Sequence, residues 1–595
     1  MRRDHPRERR TGHALSVMKY LEILKRNREL AALLTDSAYQ ISVLSNITPG
    51  PFKEIMELAL RENSIKAYLT IGDYDALVHG SHQAVDANAV IIFWEACNLA
   101  PGLHDRIHLM SREDLDALVG RVEGEIAMVL GNLAHVPLVL INCFTSVLFD
   151  ATPLRREPLN ALCRRLNALL EDRLGSNQIM VDLAAVIAEV GLRHAADFRQ
   201  FQSSMALYSV DFCKAYAQAV VPAFMAAVGR TRKIVVLDCD NTLWAGVLGE
   251  DGETGIEMSD MTAKGKVFHE VQTILCGLQR SGVLLALCSK NNSEDVDRLL
   301  ASHADMVLKE HHLVCKRVNW QDKATNLREI ALELNLGLDS FIFVDDSEFE
   351  LGLVRKELPQ VMCINVPRNL SEYPGLMREL RRHVFSLSIT SEDGRKTEMY
   401  RQEAQRKQHA VRFDSVDEYL ASLGLRLAIS WGQQIPVARA AQLSQKTNQF
   451  NLTTRRYTEA DIQRMLADSA YHLAVFSASD RHGDYGITGL AIIRREPAAT
   501  ELAEIETFLM SCRVIARNFE YAFFDEVVRV LEQSGIQKLK AEYLATPKNA
   551  LVERLYDQLG FELLSASDGE RKYQLDVGGF KPRSLNYIET ISAGE

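Results

Sequence analysis

The 595-residue sequence lacks three features that define common classes of protein. It has no run of about 18 apolar residues, and therefore predicts no transmembrane helix. Its ten cysteines are scattered without C-x-x-C spacing, which indicates neither a disulfide framework nor a zinc site. It has no basic excess, since its net charge is −11, and this argues against a general nucleic-acid binder. No apolar signal core follows the basic N-terminus, and a cytoplasmic location is therefore expected.

The stretch KIVVLDCDNTLWAGVLGEDG, at residues 233–252, joins an apolar run to a polar end. Ile234–Leu237 is apolar and β-branched, which predicts a buried strand. Asp238 and Asp240 follow it, and two carboxylates at the C-terminal end of a strand would face the crevice where open α/β sheets bind ligands. A turn rich in Asp and Asn is the alternative interpretation.

Three later segments argue against that alternative. The apolar run Gly282–Leu287 ends in the letters CSKNN, and the apolar run Phe341–Val344 ends in Asp345-Asp346. Lys323 lies between them, in the letters NWQDK, at the start of a helical pattern. Because helical patterns separate the apolar runs, the segment predicts a doubly wound parallel sheet with polar groups at successive strand ends.

The residue types in these segments suit phosphoryl transfer. Asp238 would attack phosphorus and form an aspartyl-phosphate. Asp240 would protonate the leaving oxygen and then activate water. Ser289 and Lys323 would hold the phosphoryl oxygens. A helix N-cap is the alternative role for Ser289, and a solvated position at the helix start is the alternative for Lys323.

A phosphate and several carboxylates share a site only when a cation offsets their charge, and Mg²⁺ prefers such hard oxygen ligands. The expected metal ligands are Asp238, the carbonyl of Asp240 and Asp345, with Asp346 nearby. The expected substrate-binding residues of this region follow the predicted strands or begin the helix: Asn241, Thr242, Ser289, Lys290, Asn291 and Lys323.

These segments resemble the four motifs of the haloacid-dehalogenase (HAD) superfamily of magnesium-dependent phosphatases. The letters DCDNTLW, GVLGEDG, CSKNN, NWQDK and FVDD, over roughly residues 232–367, are similar to FkbH-like proteins. Ala245 and Ser347-Glu348 depart from the usual pattern at positions that are not catalytic. The resemblance implies an enzyme of polyketide biosynthesis that takes 1,3-bisphosphoglycerate, releases phosphate and loads glyceryl onto the phosphopantetheine arm of an acyl carrier protein. A small-molecule phosphatase and a non-catalytic carrier-docking module are the alternatives.

Residues 1–228 predict an α/β domain in front of the HAD-like domain, which spans residues 229–386. Its predicted strands are Ile41–Leu44, Ala67–Ile71, Ala89–Trp94 and Val136–Asn142. The outline is similar to the SGNH-hydrolase-like N-terminal regions of longer FkbH-like proteins. Ser45 stands where such a hydrolase needs its serine, but no histidine follows Asp197 at the required distance, and His194 precedes it instead. A non-catalytic role such as carrier docking is therefore expected.

Residues 425–595 predict a further α/β domain after a helical linker at 387–424, with Lys538–Leu544 as its last strand. The order of elements is similar to the GNAT acyltransferase fold, in which a [Q/R]-x-x-G-x-[G/A] loop binds the CoA pyrophosphate at a helix N-terminus. Arg513 fits this loop as a substrate-binding residue, whereas Ala516 and Asn518 replace glycine or a small residue. Because their side chains would crowd a phosphate, the loop argues against CoA and leaves a phosphopantetheine arm as the candidate ligand.

Acyl transfer to a carrier thiol also suits a cysteine relay, because thiolates are strong nucleophiles. Cys239, within the first motif, and Cys512, before Arg513, are the catalytic candidates in that order, and Cys288 is the third. Packing is the alternative for each thiol. An acidic carrier would need a local basic surface on this acidic chain. The candidate pairs are Arg155-Arg156, Arg381-Arg382 and Arg455-Arg456.

Overall fold

A computed structural model describes residues 15, 18–34, 37–150, 157–387, 397–400, 402, 413, 415–567 and 569–592. They fall into two compact units. The first is Met1–Val228 with Tyr457–Asp461, and the second is Gly229–Arg456 with Ile462–Glu595. Most of the predicted linker at 387–424 and the pair Arg155-Arg156 lie outside the described residues. Within the described part of the chain, every helix is too short or too polar to cross a membrane.

A parallel sheet of five strands, in the order β2-β1-β3-β4-β5, is the centre of the first unit. Its strands are β1 (Tyr39–Ser45), β2 (Ala67–Ile71), β3 (Ala89–Phe93), β4 (Val139–Asn142) and β5 (Gln178–Val181). Every residue of β3 and β4 is buried, as expected for central strands covered on both faces. The sequence analysis predicts the first four strands but not β5, whose four residues are mostly half-buried and form too short a run to stand out.

Ten helices of this unit connect and cover the strands within the described ranges. They are α1 (Tyr20–Leu33), α2 (Phe52–Glu62), α3 (Leu77–Gln83), α4 (Leu103–Arg106), α5 (Arg112–Asn132), α6 (Pro158–Glu171), α7 (Leu183–Val190), α8 (Leu192–Ala195), α9 (Phe198–Ser204) and α10 (Val210–Ala227). Helix α2 packs against both α1 and α10. An aromatic cluster lies between β3 and these helices, where Phe52, Phe93 and Tyr216 have ring centroids 4.9–5.5 Å apart.

The second unit begins with another parallel sheet of five strands, in the order β10-β9-β6-β7-β8. The strands are β6 (Ile234–Leu237), β7 (Leu284–Ser289), β8 (Leu313–Val318), β9 (Phe341–Asp345) and β10 (Met362–Asn365). The helices are α11 (Leu248–Gly255), α12 (Ala263–Arg280), α13 (Ser293–Ser302), α14 (Lys323–Leu334), α15 (Glu348–Glu357) and α16 (Tyr373–Glu379). Strand β6 is central and fully buried, as its apolar sequence predicts.

A mixed sheet of eight strands follows, in the order β16-β17-β15-β14-β13-β12-β11-β18. Its strands are β11 (Leu425–Trp431), β12 (Tyr471–Asp480), β13 (Gly483–Glu496), β14 (Ala499–Met510), β15 (Lys538–Leu544), β16 (Glu562–Ser567), β17 (Glu570–Asp576) and β18 (Ile588–Ser592). The helices are α17 (Val416–Ser422), α18 (Val437–Lys446), α19 (Glu459–Ala467), α20 (Phe519–Gln533) and α21 (Leu555–Gln558). The prediction that Lys538–Leu544 is the last strand was wrong. Three strands follow it, and β16 escapes detection because all six of its residues are exposed.

Close packing fixes this mixed sheet. Phe523 of α20 packs against Phe476 and Phe508 on the buried face, with ring centroids 4.8 and 5.5 Å away. Gly489 lies under the ring of Phe476, where an added Cβ would come within 1.9 Å of a ring carbon, so only glycine fits there. The predicted fold class, α/β with a central parallel sheet and a further α/β part before and after it in the sequence, is confirmed.

Candidate active site

The carboxylates and the lysine predicted for phosphoryl transfer meet at the C-terminal edge of the parallel sheet in the second unit. Leu237 of β6 pairs with Leu287 of β7 and with Val344 of β9, so the residues that follow these positions emerge side by side. Asp238 and Asp345 are both buried at this edge. Parallel register therefore assembles a site from segments more than a hundred residues apart in the sequence.

Lys323 lies between the two buried carboxylates. Its Nζ is 2.9 Å from Oδ1 of Asp238 and 2.5 Å from Oδ2 of Asp345. Burial would lower the pKa of Lys323, but the two carboxylates raise it above its usual value, so the ammonium is charged. The side chain of Asp322 accepts a hydrogen bond from the backbone N–H of Thr325 and thereby starts α14 at Lys323. Lys323 is 3% exposed, and the solvated-lysine alternative is excluded.

Three carboxylates at this edge fit a hard divalent cation. One oxygen each of Asp238, Asp345 and Asp346 lies within 4.8 Å of the others. Burial, and then the charge of Asp238, raise the pKa of Asp345 to about 6. The same two causes raise the pKa of Asp346. A bound cation would relieve this repulsion, and the all-carboxylate donor set suits Mg²⁺. The side chain of Asp240 is not in the cluster, and its predicted contribution was the backbone carbonyl.

Asp240 is held by three N–H donors. Its Oδ1 accepts hydrogen bonds from the indole Nε1 of Trp244 at 2.9 Å and from the backbone N of Leu248 at 3.0 Å. Its Oδ2 accepts one from Nδ2 of Asn291 at 3.0 Å. Burial raises the pKa of Asp240, and the donors from Leu248 and Trp244 oppose that shift. Asn291, predicted to bind substrate, therefore contacts the carboxylate of Asp240.

The residues that follow Asp240 build a short flap. Asn241 has a φ of +51°, and its Oδ1 accepts a hydrogen bond from the backbone N of Gly246. Thr242 is fully buried, its carbonyl accepts a hydrogen bond from the hydroxyl of Tyr373, and its own hydroxyl has no partner among the described residues. Gly246 has a φ of +102°, and a Cβ there would lie 2.8 Å from Asp251, so the flap requires glycine. Asn241 and Thr242, both predicted to bind substrate, thus make contacts that shape the flap.

Ser289 is the last residue of strand β7, and Lys290 follows it. Ser289 is buried, and its alternative role is excluded because Asn292 is the N-cap of α13. The Nζ of Lys290 lies 2.7 Å from Oε1 of Glu350, which is itself buried. Glu350 was not among the predicted site residues. The available signal was Ser347, three residues earlier, because Ser-x-x-Glu is the pattern of a capping box and marks the start of α15.

The three candidate thiols differ in how far they are buried. Cys239 and Cys288 are both 0% exposed. Burial raises the pKa of Cys239 well above its usual value and that of Cys288 to about 12. Cys512 is partly exposed and lines a cavity of about 390 Å³ within the second unit. A nucleophilic thiolate needs access to its substrate, and among these three thiols only Cys512 is partly exposed.

The loop before α20 forms one wall of that cavity. Ala516 and Asn518 both have left-handed backbone conformations, with φ of +65° and +63°. The loop therefore follows a path that normally favours glycine while carrying a Cβ at both positions. Arg513, which also lines the cavity, donates a hydrogen bond from Nε to Oγ of Ser511 and contacts the sulfur of Met399. The guanidinium of Arg517 lies over the ring of Tyr485 at 5.2 Å.

The first unit shows no hydrolase triad at its predicted position. The hydroxyl of Ser45 donates a hydrogen bond to the carbonyl of Ile47, two residues away. The carboxylate of Asp197 accepts hydrogen bonds from two backbone N–H groups at the start of α9, and His194 is exposed. These contacts agree with the expectation that the triad is incomplete.

The described basic pairs make local contacts. Arg455 lies 3.3 Å from Glu542, and Arg456 donates to Oδ1 of Asn448 at 2.9 Å. Arg381-Arg382 is exposed, but the next residue, His383, accepts a hydrogen bond from the backbone of Arg232, just before strand β6 begins. That pair therefore lies near the opposite edge of the sheet from Asp238.

The chain matches no family model and no curated protein. It is similar to a solved structure of the N-terminal part of the protein BF1531 from Bacteroides fragilis, which contains a phosphatase domain and was solved in complex with Mg. The identity is 20%, the TM-score is 0.54, and the match covers 63% of this chain and all of the other. At this identity the likeness shows a shared fold.

Two weaker matches are acetyltransferase structures. The GNAT domain of S. lividans PAT is 15% identical, with a TM-score of 0.21, and the match covers 25% of this chain and 89% of that one. An acetyltransferase of the GNAT family from Staphylococcus aureus is 12% identical, with a TM-score of 0.17, and the match covers 20% of this chain and 75% of that one.

Proposed function

We propose that this protein is a Mg²⁺-dependent enzyme of the HAD type that takes 1,3-bisphosphoglycerate, releases phosphate and leaves a glyceryl unit on an acyl carrier protein. The observation that carries the proposal is the buried ammonium of Lys323 between Asp238 and Asp345, next to Asp346. The resemblance to FkbH-like proteins supplies the donor and the carrier. The shared fold with a phosphatase domain solved with Mg supports the choice of metal.

The phosphate ester would be cleaved by the two motif carboxylates. Asp238 attacks phosphorus, the bond from phosphorus to the leaving oxygen breaks, and an aspartyl-phosphate forms. Oδ1 of Asp240 accepts two N–H donors, whereas Oδ2 accepts only one, from Asn291, and so Oδ2 would carry the proton that the leaving oxygen takes. Asp240 then removes a proton from the water that attacks the aspartyl-phosphate. Bound Mg²⁺ would offset charge between the carboxylates and the phosphoryl oxygens. Lys323 and Ser289 hold those oxygens.

The acyl phosphate of the donor requires a different step. A thiolate attacks its carbonyl carbon, the bond from that carbon to the phosphate oxygen breaks, and inorganic phosphate leaves as the thioester forms. The thiol proton has passed to solvent before the attack. Cys512 is the best-placed thiol on this chain, because it lines the cavity beside Arg513. A second exchange with the pantetheine thiol would place glyceryl on the carrier.

The second candidate is a phosphatase of a small phosphorylated metabolite. It is favoured by one observation: the groups needed for phosphate hydrolysis lie in one site, and hydrolysis needs neither Cys512 nor the mixed sheet. The short flap contains only the eight-residue helix α11 and is too small to be a folded cap domain over that site.

Intact-mass analysis separates these candidates. Phosphopantetheinylated acyl carrier proteins of polyketide pathways would be incubated with the enzyme, Mg²⁺ and 1,3-bisphosphoglycerate. The proposal expects a carrier that gains one glyceryl group, with phosphate released. Phosphate release with unmodified carriers would favour the phosphatase. A carrier that binds the protein without phosphate release or mass gain would favour the docking module.

A further inference from the structure

We propose that Trp244 is a positioning residue that holds the carboxylate of Asp240 in the orientation needed for proton transfer. This inference rests on the acid–base role of Asp240 in the proposed function. The indole group cannot itself accept or release the proton, because its only polar atom is an N–H donor. Trp244 therefore acts through Asp240.

The position of the indole ring is set by the hydrophobic core. Trp244 is 0% exposed and belongs to the same buried cluster as Leu243, Leu248 and Phe268. A buried indole N–H needs an acceptor, and here the acceptor is Oδ1 of Asp240 at 2.9 Å. Because the ring is fixed by packing, its N–H points in a fixed direction.

The three donors together restrain both oxygens of Asp240. Trp244 and the backbone N of Leu248 share Oδ1, while Asn291 binds Oδ2. The carboxylate cannot rotate about its terminal bond without losing at least two of these hydrogen bonds. Leu248 is the first residue of α11 in the flap. Because Trp244 and Leu248 donate to the same oxygen, the indole holds Asp240 where it contacts the flap.

Leaving-group dependence distinguishes positioning from general support of the fold. Phenol is a poor leaving group and needs the proton from Asp240, whereas 4-nitrophenol leaves readily without it. With Mg²⁺ present, Trp244→Phe should reduce kcat/KM for phenyl phosphate, which covers the steps up to the release of phenol, about tenfold or more, as expected for a lost hydrogen bond to a charged group. The loss of kcat/KM for 4-nitrophenyl phosphate should be about threefold or less.

Trp431→Phe is the matched control. Trp431 is also buried in the second unit, and its indole nitrogen has no hydrogen-bond partner among the described residues. This variant should lower both rates equally or not at all. Equal losses for the two esters in Trp244→Phe would overturn the positioning role. If the wild-type protein hydrolyses neither ester, that result counts against the proposed function. The contact between Trp244 and Asp240 is then tested by the NMR measurement that follows.

Indole N–H signals in an NMR spectrum test the contact without metal, substrate or turnover. The chain has four tryptophans, so ¹⁵N-labelled tryptophan gives few signals, and Trp244→Phe assigns one of them. Asp240→Ala should shift the Trp244 signal upfield and speed its exchange with water, with the Trp431 signal unchanged. An unaltered Trp244 signal in Asp240→Ala would overturn the inference. If Trp244→Phe does not fold, the contact is still tested in Asp240→Ala. There, one of the slowly exchanging indole N–H signals should be lost while the others remain.

Discussion

At the scale of single residues, the site is organised by Lys323. Its ammonium contacts two carboxylates that are themselves almost fully buried. A buried charge is stable only with partners, so each of these three groups depends on the other two. The same ammonium is the group that would receive a phosphoryl oxygen, which links the stability of the fold to the chemistry of the site.

Lys323→Met tests this dependence. Removing the ammonium leaves Asp238 and Asp345 facing each other in a buried site, and should lower the free energy of unfolding by about 3 kcal/mol. Added Mg²⁺ should recover more of the melting temperature in this variant than in the wild type, because a cation can replace the lost charge. Thermal unfolding with and without Mg²⁺ measures both effects.

Lys548→Met is the control for that comparison. Lys548 lies 2.8 Å from Asp339, but both side chains are about half exposed, and such surface pairs contribute about 1 kcal/mol or less. An unchanged melting temperature in Lys323→Met would contradict the interdependence of the three buried groups.

At the scale of secondary-structure elements, three strands of the second parallel sheet, β6, β7 and β9, were predictable because each is an apolar run that ends in polar residues. Strands β8 and β10 of that sheet were not predicted. Lys323, predicted to lie at the start of a helix, is the first residue of α14. Strands β5 and β16 were missed because short or exposed strands carry no apolar pattern. Gly489 and Phe476 show why details of the mixed sheet are not predictable: their contact depends on which residues of β12 and β13 face each other.

The candidate site was predictable in its charges but not in its contacts. Asp238, Asp345 and Lys323 follow from strand ends and a helix start. The roles of Trp244 and Glu350 depend on directions of side chains, which spacing alone does not give. The different exposure of Cys239 and Cys512 was not predictable for the same reason, because a motif shows that a thiol is near a site and not whether it is accessible.

A buried glutamate beside strand β3 of the first unit should make the stability of the fold depend on pH. Glu95, just after β3, is 2% exposed, and burial raises its pKa from 4.5 to about 7, while Tyr208 and Asn142 oppose the shift. The unfolded chain loses this proton near pH 4.5 and the folded chain near pH 7, so the stability of the fold falls as pH rises between these values. Above pH 7 Glu95 is ionised in the folded chain, and the resulting loss of free energy of unfolding reaches its full value, about 3 kcal/mol at most.

Glu95→Gln should remove that cost. The variant should be more stable than the wild type at pH 8 and equal to it near pH 4. Hydrogen exchange of the β3 amides measures the local stability at each pH. The exposed Glu171 supplies the control, Glu171→Gln, which should follow the wild type. Parallel pH profiles for the wild type and Glu95→Gln would contradict the buried-carboxyl explanation.

At the scale of the whole molecule, the chain combines two parallel sheets and one mixed sheet, and only the second unit contains the carboxylate cluster found among the described residues. The dependence of phosphate release on a metal ion should therefore come from that carboxylate cluster. EDTA should abolish phosphate release, and Mg²⁺ should restore it, because the uncompensated carboxylates of Asp238, Asp345 and Asp346 repel a phosphate. Phosphate release measured at full rate in metal-free buffer would contradict the charge argument.

The most direct test of the central claim is the mass of the protein after reaction with donor. In Asp240→Asn, the base that activates water is removed, whereas Asp238 can still attack a phosphate with a good leaving group. With acetyl phosphate and Mg²⁺, this variant should retain one phosphoryl group, located on Asp238 by peptide mass spectrometry. Asp238→Asn in the same background should carry none. A variant that turns over at the wild-type rate, or a phosphoryl group on another residue, would contradict the account.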